Sequence, residues 1–317
     1  MSHEPAKLRT RQRVALMSSL LLLCVLTAVQ LYFYLTGYEF DNDLYVHGSL
    51  PTVTAVLWIC AAAGAILLNC PLPGKVTCSE LKIRPSVTTD TASLLCAAAL
   101  AGSLLLPILL KNGGSDMLGN LLASDSDADS TARLMLIASM VLAIPAALHF
   151  ILQFAHHKSY PQTACALLLW AAFSALRIYF DMRYLLMSPR RIMHLVALIA
   201  VMLFLIAELR QARGVVTHRF YAIAASLMII LAGCDALSNL ILAAMGWIAL
   251  GSEICTYIFL LAIALYAGAR LAALCTDAKS KPIPAADAPI AQSPAPSDAV
   301  ETQTDGTDLP SEGEEEQ

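Results

Sequence analysis

Eight apolar stretches, each close to the length needed to cross a bilayer, recur along the chain and constrain its fold more than any other feature. A helix needs about 20 consecutive apolar residues to span the hydrocarbon core. Lipid cannot hydrogen-bond to a peptide group, so each stretch must satisfy its own backbone as a helix. We therefore predict an all-α, polytopic transmembrane bundle. Its eight predicted spans are 14–35, 50–68, 91–110, 134–154, 163–182, 192–209, 220–245 and 254–274.

The overall composition supports a membrane environment. Hydrophobic residues make up 58% of the 317 residues and charged residues only 14%, whereas about a quarter of a typical soluble domain is charged. The first apolar stretch follows a basic segment, as in a signal peptide, but it is too long for that role and has no small-residue cleavage site. We expect a retained first span and a multi-pass protein of the cell membrane, with the lipid bilayer as its main partner.

The distribution of basic residues predicts the orientation. If the amino terminus is cytoplasmic, 14 of the 20 Lys and Arg residues fall on the cytoplasmic side. The positive-inside rule then predicts that both termini are cytoplasmic. One segment conflicts with this assignment, because residues 182–191 carry Arg183, Arg190 and Arg191 on the predicted outer side. Either these arginines have a local role, such as holding an anion or a lipid headgroup, or the fifth and sixth spans do not both cross.

Composition divides the chain into parts with different expected roles. The first four spans carry almost no ionisable residues, so we expect them to serve as a scaffold. The last four carry nearly all of the charged residues within spans, so we expect the functional residues there. The tail is rich in Ala, Pro, Ser and acidic residues, which predicts a disordered cytoplasmic segment that solvates the protein or docks a cytoplasmic partner. The parts are a basic N-terminus at 1–13, the first half at 14–154, a short cytoplasmic loop at 155–162, the second half at 163–274 and the tail at 275–317.

The metal-ligating residue types show no pattern of a metal or cofactor site. None of the nine cysteines forms a CxxC pair, and no Cys/His spacing suits zinc. Asp125, Asp127 and Asp129 begin like a calcium-binding loop, but Ser130 and Leu136 stand where that loop needs Gly and Glu. We therefore expect no metal, no cofactor and no disulfide, and we expect these acids to solvate an external loop.

Charged residues inside the spans are the strongest functional signal. Arg177 lies 15 residues from Gln162, and Asp235 lies 16 residues from Arg219, so both lie about 22–24 Å from the cytoplasmic side. An unpaired charge at this depth is costly. We therefore expect Arg177 and Asp235 to face each other or to share a polar cavity.

Other polar residues are predicted to lie near this pair. Asp181 and Tyr184 follow Arg177 by successive helical turns, and Asn239 follows Asp235 by one turn. His194 and Glu253 begin the sixth and eighth spans. The predicted pocket for a small polar or anionic ligand opens outward and contains Arg177, Asp181, Tyr184, His194, Asp235, Asn239 and Glu253.

The main alternative is structural, in which the charges form an ion-pair lock between helices. Two other ionisable residues are expected to lie outside the pocket. We expect Glu208 to pair with the basic segment 210–213 and His149 to be an interfacial or hydrogen-bonded residue.

Two functional hypotheses remain open at this stage. The first is a transporter or other solute-binding protein that uses the outward-facing pocket. The second is a membrane sensor or assembly protein that acts through a cytoplasmic partner of the acidic tail. We expect no catalytic residues, because the chain contains no GxSxG or HExxH motif. Nucleic-acid binding is disfavoured, because the basic residues are dispersed along the chain.

Overall fold

The computed structural model describes most of the apolar part of the chain, and all of it belongs to one compact unit, Met1–Lys279. The described residues are 4–40, 44–46, 48–70, 72, 86–109, 127–156, 160–180, 188–213, 217–248 and 253–277. Several predictions therefore lie outside the described residues: those on Asp125, Asp181, Arg183, Tyr184 and the acidic tail after Asp277. Asp127 and Asp129, predicted in a loop, belong instead to the backbone of the first turn of a helix.

Almost all of the described structure is helical. The helices are α1 (Glu4–Gly37), α2 (Leu50–Asn69), α3 (Val87–Leu109), α4 (Asp127–His156), α5 (Pro161–Phe180), α6 (Pro189–Ala212), α7 (His218–Leu227), α8 (Gly233–Ala244) and α9 (Ile254–Asp277). A π-helix, Met228–Ala232, joins α7 to α8. We call these three consecutive elements the split helix.

The prediction of eight membrane-capable helices is confirmed within the described residues. The protein is a multi-pass membrane protein, and its apolar helices contact the lipid bilayer. The eight stretches are Thr10–Gly37, Leu50–Asn69, Val87–Leu105, Leu134–His156, Pro161–Phe180, Pro189–Ala212, His218–Ala244 and Ile254–Ala273.

A short hairpin connects the first two helices. Strands β1 (Tyr38–Glu39) and β2 (Leu44–Tyr45) pair antiparallel. The rings of Tyr38 and Tyr45 pack edge to face with centroids 5.1 Å apart, and both lie against Tyr34 of α1. Burial in this cluster raises the pKa of Tyr45 to about 12, so its hydroxyl stays neutral at physiological pH.

One helix boundary differs from the prediction in a way that matters for the site. The sixth helix begins at Pro189, three residues earlier than expected. Ser188 is its N-cap and accepts a hydrogen bond from the backbone of Arg191, and Pro189 occupies a first-turn position that favours proline. As a result, Arg190 and Arg191 lie in the first turn of α6 and not in a loop.

The helices of the second half form the centre of the bundle. Within its apolar window the split helix has 72% of its residues buried, compared with 28% for the first span. Helices α6 and α9 pack against the split helix, while α1 packs against α8 and α9, and α3 packs against α9. Helices from both halves of the sequence therefore surround the same core.

A glycine permits a close approach of α1 to this centre. A Cβ atom added at Gly233 would lie 3.0 Å from a terminal methyl group of Leu23. This is tighter than ordinary van der Waals contact. Gly233 is also the first residue of α8, directly before Cys234 and Asp235, so the close contact fixes α1 beside the most polar part of the split helix.

Candidate functional site

A fully buried carboxylate lies at the centre of a polar cluster near one end of the bundle. Asp235 of α8 is completely inaccessible to solvent. Its Oδ2 atom lies 2.7 Å from Nδ1 of His194, on the second turn of α6. Asn239 Nδ2 donates to Oδ1 of Asp235 at 3.1 Å and to its backbone carbonyl at 2.8 Å. Both carboxylate oxygens are thus satisfied, as a buried charge requires. We call His194, Asp235 and Asn239 the His194 site.

Two arginines of α6 connect this site to neighbouring helices. Arg190 Nε donates to Oδ1 of Asn239 at 2.9 Å. The guanidinium of Arg191 donates to the backbone carbonyl of Tyr179, near the end of α5. An N–H group bonded to a carbonyl near the end of a helix is favourable, because that end carries partial negative charge. The first turn of α6 is therefore held to both α5 and α8.

A small cleft opens beside the His194 site between α5, α6 and α9. Its volume is about 30 Å³, which is enough for only a few water-sized molecules. The lining residues are mostly polar or charged: Arg177, Ile178, Arg190, Arg191, His194, Glu253, Thr256 and Tyr257. The cleft thus has three arginines and one glutamate in its wall.

His194 lies between the cleft and the buried carboxylate. One ring nitrogen pairs with Asp235, and the ring also lines the cleft. The ring of Tyr257 packs against it, with centroids 4.9 Å apart. Since Asp235 fixes the orientation of the imidazole, the edge of His194 that faces the cleft is held in one position.

The structure brings together most of the described residues predicted for this pocket. His194, Asp235 and Asn239 form one hydrogen-bonded network, and Arg177 and Glu253 line the adjoining cleft. Arg177 and Asp235 were expected to face each other or to share a polar cavity. The described partner of Asp235 is His194, and Arg177 lines the cleft on which His194 also borders.

Sequence reasoning missed a contribution from the first half of the chain. Gln30 of α1 is 1% exposed. Its Oε1 atom accepts hydrogen bonds from Nε1 of Trp58 at 3.2 Å and from Sγ of Cys234 at 3.0 Å, and its amide nitrogen lies 3.2 Å from Sδ of Met193. Met193 and Cys234, which directly precede His194 and Asp235 in the chain, therefore both contact Gln30. A single glutamine in an apolar span was the available signal.

The π-helix lies immediately before the buried carboxylate. Residues Met228–Ala232 are all buried, and α8 begins with Gly233, two residues before Asp235. A π turn inside an α-helix widens the coil locally and is frequently found at functional sites. Here it changes the angular position of Asp235 and Asn239 relative to the residues of α7.

A second buried polar cluster lies at the opposite ends of the same helices. Glu208 of α6 and Arg270 of α9 form a two-pronged ion pair, with Nε–Oε1 at 3.1 Å and Nη2–Oε2 at 2.8 Å. The hydroxyl of Tyr221 donates to Oε1 of Glu208, and Nη2 of Arg270 also donates to Gln211 at 3.3 Å. We call Glu208, Arg270, Tyr221 and Gln211 the Glu208 site.

This cluster corrects the prediction for Glu208 and decides between the alternatives for His149. Glu208 pairs with Arg270 on the eighth span, and not with the basic segment 210–213, because both side chains point into the bundle and are nearly buried. His149 is 5% exposed and lies 2.9 Å from the hydroxyl of Thr163 on α5. Of the two predicted alternatives, interfacial or hydrogen-bonded, the described structure has the hydrogen-bonded one.

Aromatic and amide groups extend the Glu208 site toward the middle of the bundle. The Arg270 guanidinium lies 5.8 Å from the centroid of the Tyr266 ring, a distance typical of a cation–π contact. The amide of Gln153 on α4 donates to the hydroxyl of Tyr266. Oε1 of Gln153 is buried without a hydrogen-bond partner among the described residues.

Neither cluster has the composition of a metal centre. Among the residues that the structure describes, no three His, Cys, Asp or Glu side chains are grouped closely enough to hold a metal ion. The two clusters instead combine guanidinium, carboxylate, imidazole, phenol and amide groups. These groups can bind anions and hydrogen-bonding solutes.

Comparison with known proteins adds no assignment: no protein-family model, curated protein or solved structure matches this chain.

Proposed function

We propose that this membrane protein binds a small anionic solute in the cleft beside His194 and moves it across the bilayer. The observation that carries the proposal is the convergence of Arg177, Arg190 and Arg191 on one cleft next to a fully buried His–Asp pair. Arginine presents a planar set of donors that suits carboxylate and phosphate oxygens. Residues with this chemistry inside a membrane protein commonly mark a solute path.

The charges of the cleft favour an anion over a cation. Three arginines line it with one carboxylate, Glu253, and the next carboxylate, Asp235, is engaged by His194 and Asn239. Arg190 and Arg191 are already bonded to Asn239 and to the Tyr179 carbonyl. We therefore expect the third arginine of the cleft, Arg177, to contact the solute directly.

The volume of the cleft limits the size of the solute. About 30 Å³ does not admit a drug-sized molecule, for which sites commonly measure several hundred Å³. A small inorganic anion or a short carboxylate suits this space. A larger solute would require the walls of the cleft to move apart.

We further propose that the cleft opens to the outside and that both termini are cytoplasmic. The distribution of Lys and Arg favours this orientation. Arg190 and Arg191 lie on the predicted outer side and are the exception to this distribution. Their bonds to Asn239 and to the Tyr179 carbonyl support the explanation that they have a local role there.

A second candidate function is an assembly or sensor protein whose buried charges lock the helices together. The complete burial of Asp235 and the small cleft volume favour this alternative. In that case a cytoplasmic partner of the acidic tail would provide the function, and the cleft would bind no solute. Anion binding therefore separates the two candidates.

Thermal stabilisation by anions tests the proposal. The purified protein in lipid nanodiscs is heated with increasing sodium acetate, phosphate or chloride at constant ionic strength, with glycerol as a neutral comparison. We expect at least one anion to raise the Tm in a saturable way. Arg177→Gln should weaken this binding by about tenfold or more, since a charge-assisted hydrogen bond contributes about 1.5–3 kcal/mol.

Arg219→Gln is the matched control, because Arg219 is an arginine whose contact to Cys70 lies outside the cleft. It should leave the anion affinity unchanged. If no anion stabilises the wild-type protein, or if Arg177→Gln and Arg219→Gln respond equally, the cleft is not an anion site and the second candidate is preferred.

A further inference from the structure

The two buried polar clusters are built from the same three helical spans. Helix α6 contributes His194 to one and Glu208 to the other, 14 residues apart, which corresponds to about 21 Å along a helix. The split helix contributes Asp235 and Tyr221, also 14 residues apart. Helix α9 contributes Tyr257, whose ring packs against His194, and Arg270, which lies 13 residues or about 20 Å away. The clusters thus form two matched layers.

The side chains between these layers along the three spans are mostly apolar; the exceptions are Ser226 of the split helix, which accepts a hydrogen bond from Asn69 of α2 at 3.0 Å, and Tyr266 of α9. Val201 and Phe204 of α6, Met228 of the π-helix and Leu260 and Ile263 of α9 are all fully inaccessible to solvent. They belong to one continuous core cluster. Tight packing of this kind leaves no route for a hydrated anion. A solute can pass only if the helices move.

The Glu208 site resembles an anion site that already holds a carboxylate of the chain. Arg270 presents two N–H groups to the two oxygens of Glu208, and the Tyr221 hydroxyl adds a third donor. These are the contacts that a free carboxylate or phosphate would make with the same groups. A charged solute that reached Arg270 would therefore compete directly with Glu208.

We propose that the Glu208–Arg270 pair is the closed gate of the solute path at the end opposite the His194 cleft, and that the anionic solute opens it by displacing Glu208 from Arg270. This inference rests on the proposed function. The gate stays closed while the solute occupies only the outer cleft, because Arg270 keeps its internal carboxylate. It opens when the guanidinium exchanges that carboxylate for the solute.

The π-helix lies where such an opening requires a bend. It separates α7, which carries Tyr221 of the gate, from α8, which carries Asp235 of the His194 site. Sharp bends in helices occur at sites of this kind, where the regular hydrogen-bond pattern is interrupted. Movement of α7 relative to α8 would separate Tyr221 from Glu208 and leave Asp235 paired with His194.

Native cysteines provide reporters for this gate. Cys96 of α3 is fully buried in the same core cluster as Tyr266, which contacts Arg270. Cys255 of α9 lies two residues from Glu253 and Tyr257, at the layer of the outer cleft. Two variants are made in nanodiscs, one that keeps only Cys96 and one that keeps only Cys255. Each is treated with a cationic, water-soluble methanethiosulfonate, and the rate of labelling is measured by mass spectrometry.

We expect Glu208→Gln to accelerate labelling of Cys96 by about tenfold or more, since removal of one partner destabilises a buried ion pair strongly, and to leave Cys255 unchanged. Exchange of the two charges, with Glu208→Arg and Arg270→Glu together, should restore slow labelling. In the variant with native Glu208 and Arg270, the stabilising anion should accelerate labelling of Cys96. This last measurement does not depend on whether a charge variant folds.

The outcomes separate this inference from the proposed function. If an anion binds in the nanodisc assay but labelling of Cys96 is unaffected by that anion, the gate is refuted and the anion site remains. Equal acceleration at Cys96 and Cys255 would also refute it, because the whole bundle would then have loosened. If Glu208→Gln exposes Cys96 selectively but no anion binds, the proposed function fails and displacement by a solute fails with it.

Discussion

At the scale of single residues, the His194 site depends on how completely one carboxylate is satisfied. Asp235 is held by the His194 imidazole and the Asn239 amide, and Arg190 holds Asn239 in turn. Low-dielectric surroundings strengthen each of these bonds and make the loss of any one of them costly. The His194 site therefore forms a rigid side of the cleft. Substitution of any one of its residues should lower the stability of the whole hydrogen-bonded network.

Asp235→Leu should destabilise the protein much more than Asp235→Asn. The asparagine keeps an acceptor for His194, whereas leucine leaves His194 Nδ1 without its buried partner and removes one of the two acceptors of the Asn239 amide. An unsatisfied buried polar group costs about 1–3 kcal/mol, so we expect a clear difference in Tm in nanodiscs. Ser238→Ala is the control, because the buried Ser238 hydroxyl donates to the Cys234 carbonyl of its own helix. Equal Tm values for the two Asp235 variants would contradict this account.

Gln30→Leu tests the contribution of α1 to the same network. Leucine provides no acceptor for Nε1 of Trp58 or Sγ of Cys234, so we expect a loss of about 1–3 kcal/mol in unfolding free energy. We also expect weaker anion stabilisation, because Cys234 and Met193 adjoin Asp235 and His194. Thr36→Val, on an exposed side chain of α1, serves as the control. Unchanged stability and unchanged anion affinity would show that α1 only packs against the site.

At the scale of elements, the π-helix makes a specific prediction about the deletion of a single residue. A single π turn can be regarded as one extra residue inside an α-helix. Removing one residue there allows α7 and α8 to join as a regular helix without rotating either away from its partners. Removing one residue from a regular helix instead rotates everything beyond it by about 100°.

Deletion of Ile230 should therefore preserve folding but impair movement. We expect the variant to keep anion-dependent stabilisation, since the bond between His194 and Asp235 survives, and to lose anion-stimulated labelling of Cys96. The control is deletion of Ala264, which lies in the regular helix α9 between Tyr257 and Arg270. This deletion should abolish both the anion-dependent stabilisation and the anion-stimulated labelling of Cys96. If the two deletions prove equally harmful, the π turn is not a separable hinge.

The element scale also shows which features the sequence could predict. Hydropathy predicts eight helices because each must satisfy its backbone in lipid, and isolated charges such as Asp235 are conspicuous in that background. The partners of those charges are harder to predict. Pairing of Glu208 with Arg270 depends on how α6 and α9 pack, and the roles of Gln30 and Trp58 depend on the approach of α1 at Gly233. The start of α6 at Pro189 could have been predicted, because a Ser followed by a Pro, as at Ser188 and Pro189, marks a helix start.

At the scale of the whole molecule, the two buried polar clusters are concentrated in a central layer of three spans. Helices α6 and α9 and the split helix carry both polar clusters and the apolar barrier between them. The other helices surround this layer, and α1 and α4 add single amides, Gln30 and Gln153, at its two ends. Such an arrangement is suited to alternating access, in which one polar layer opens while the other stays closed.

Uptake of labelled anions into proteoliposomes tests this account most directly. Vesicles that contain the protein should accumulate ³⁶Cl⁻, [³²P]phosphate or [¹⁴C]acetate faster than protein-free vesicles, for the anion that stabilises the protein. Uptake should be lost in Arg177→Gln and in Arg270→Gln and retained in Arg219→Gln. Uptake no faster than in protein-free vesicles, or uptake that survives both Arg177→Gln and Arg270→Gln, would contradict the account.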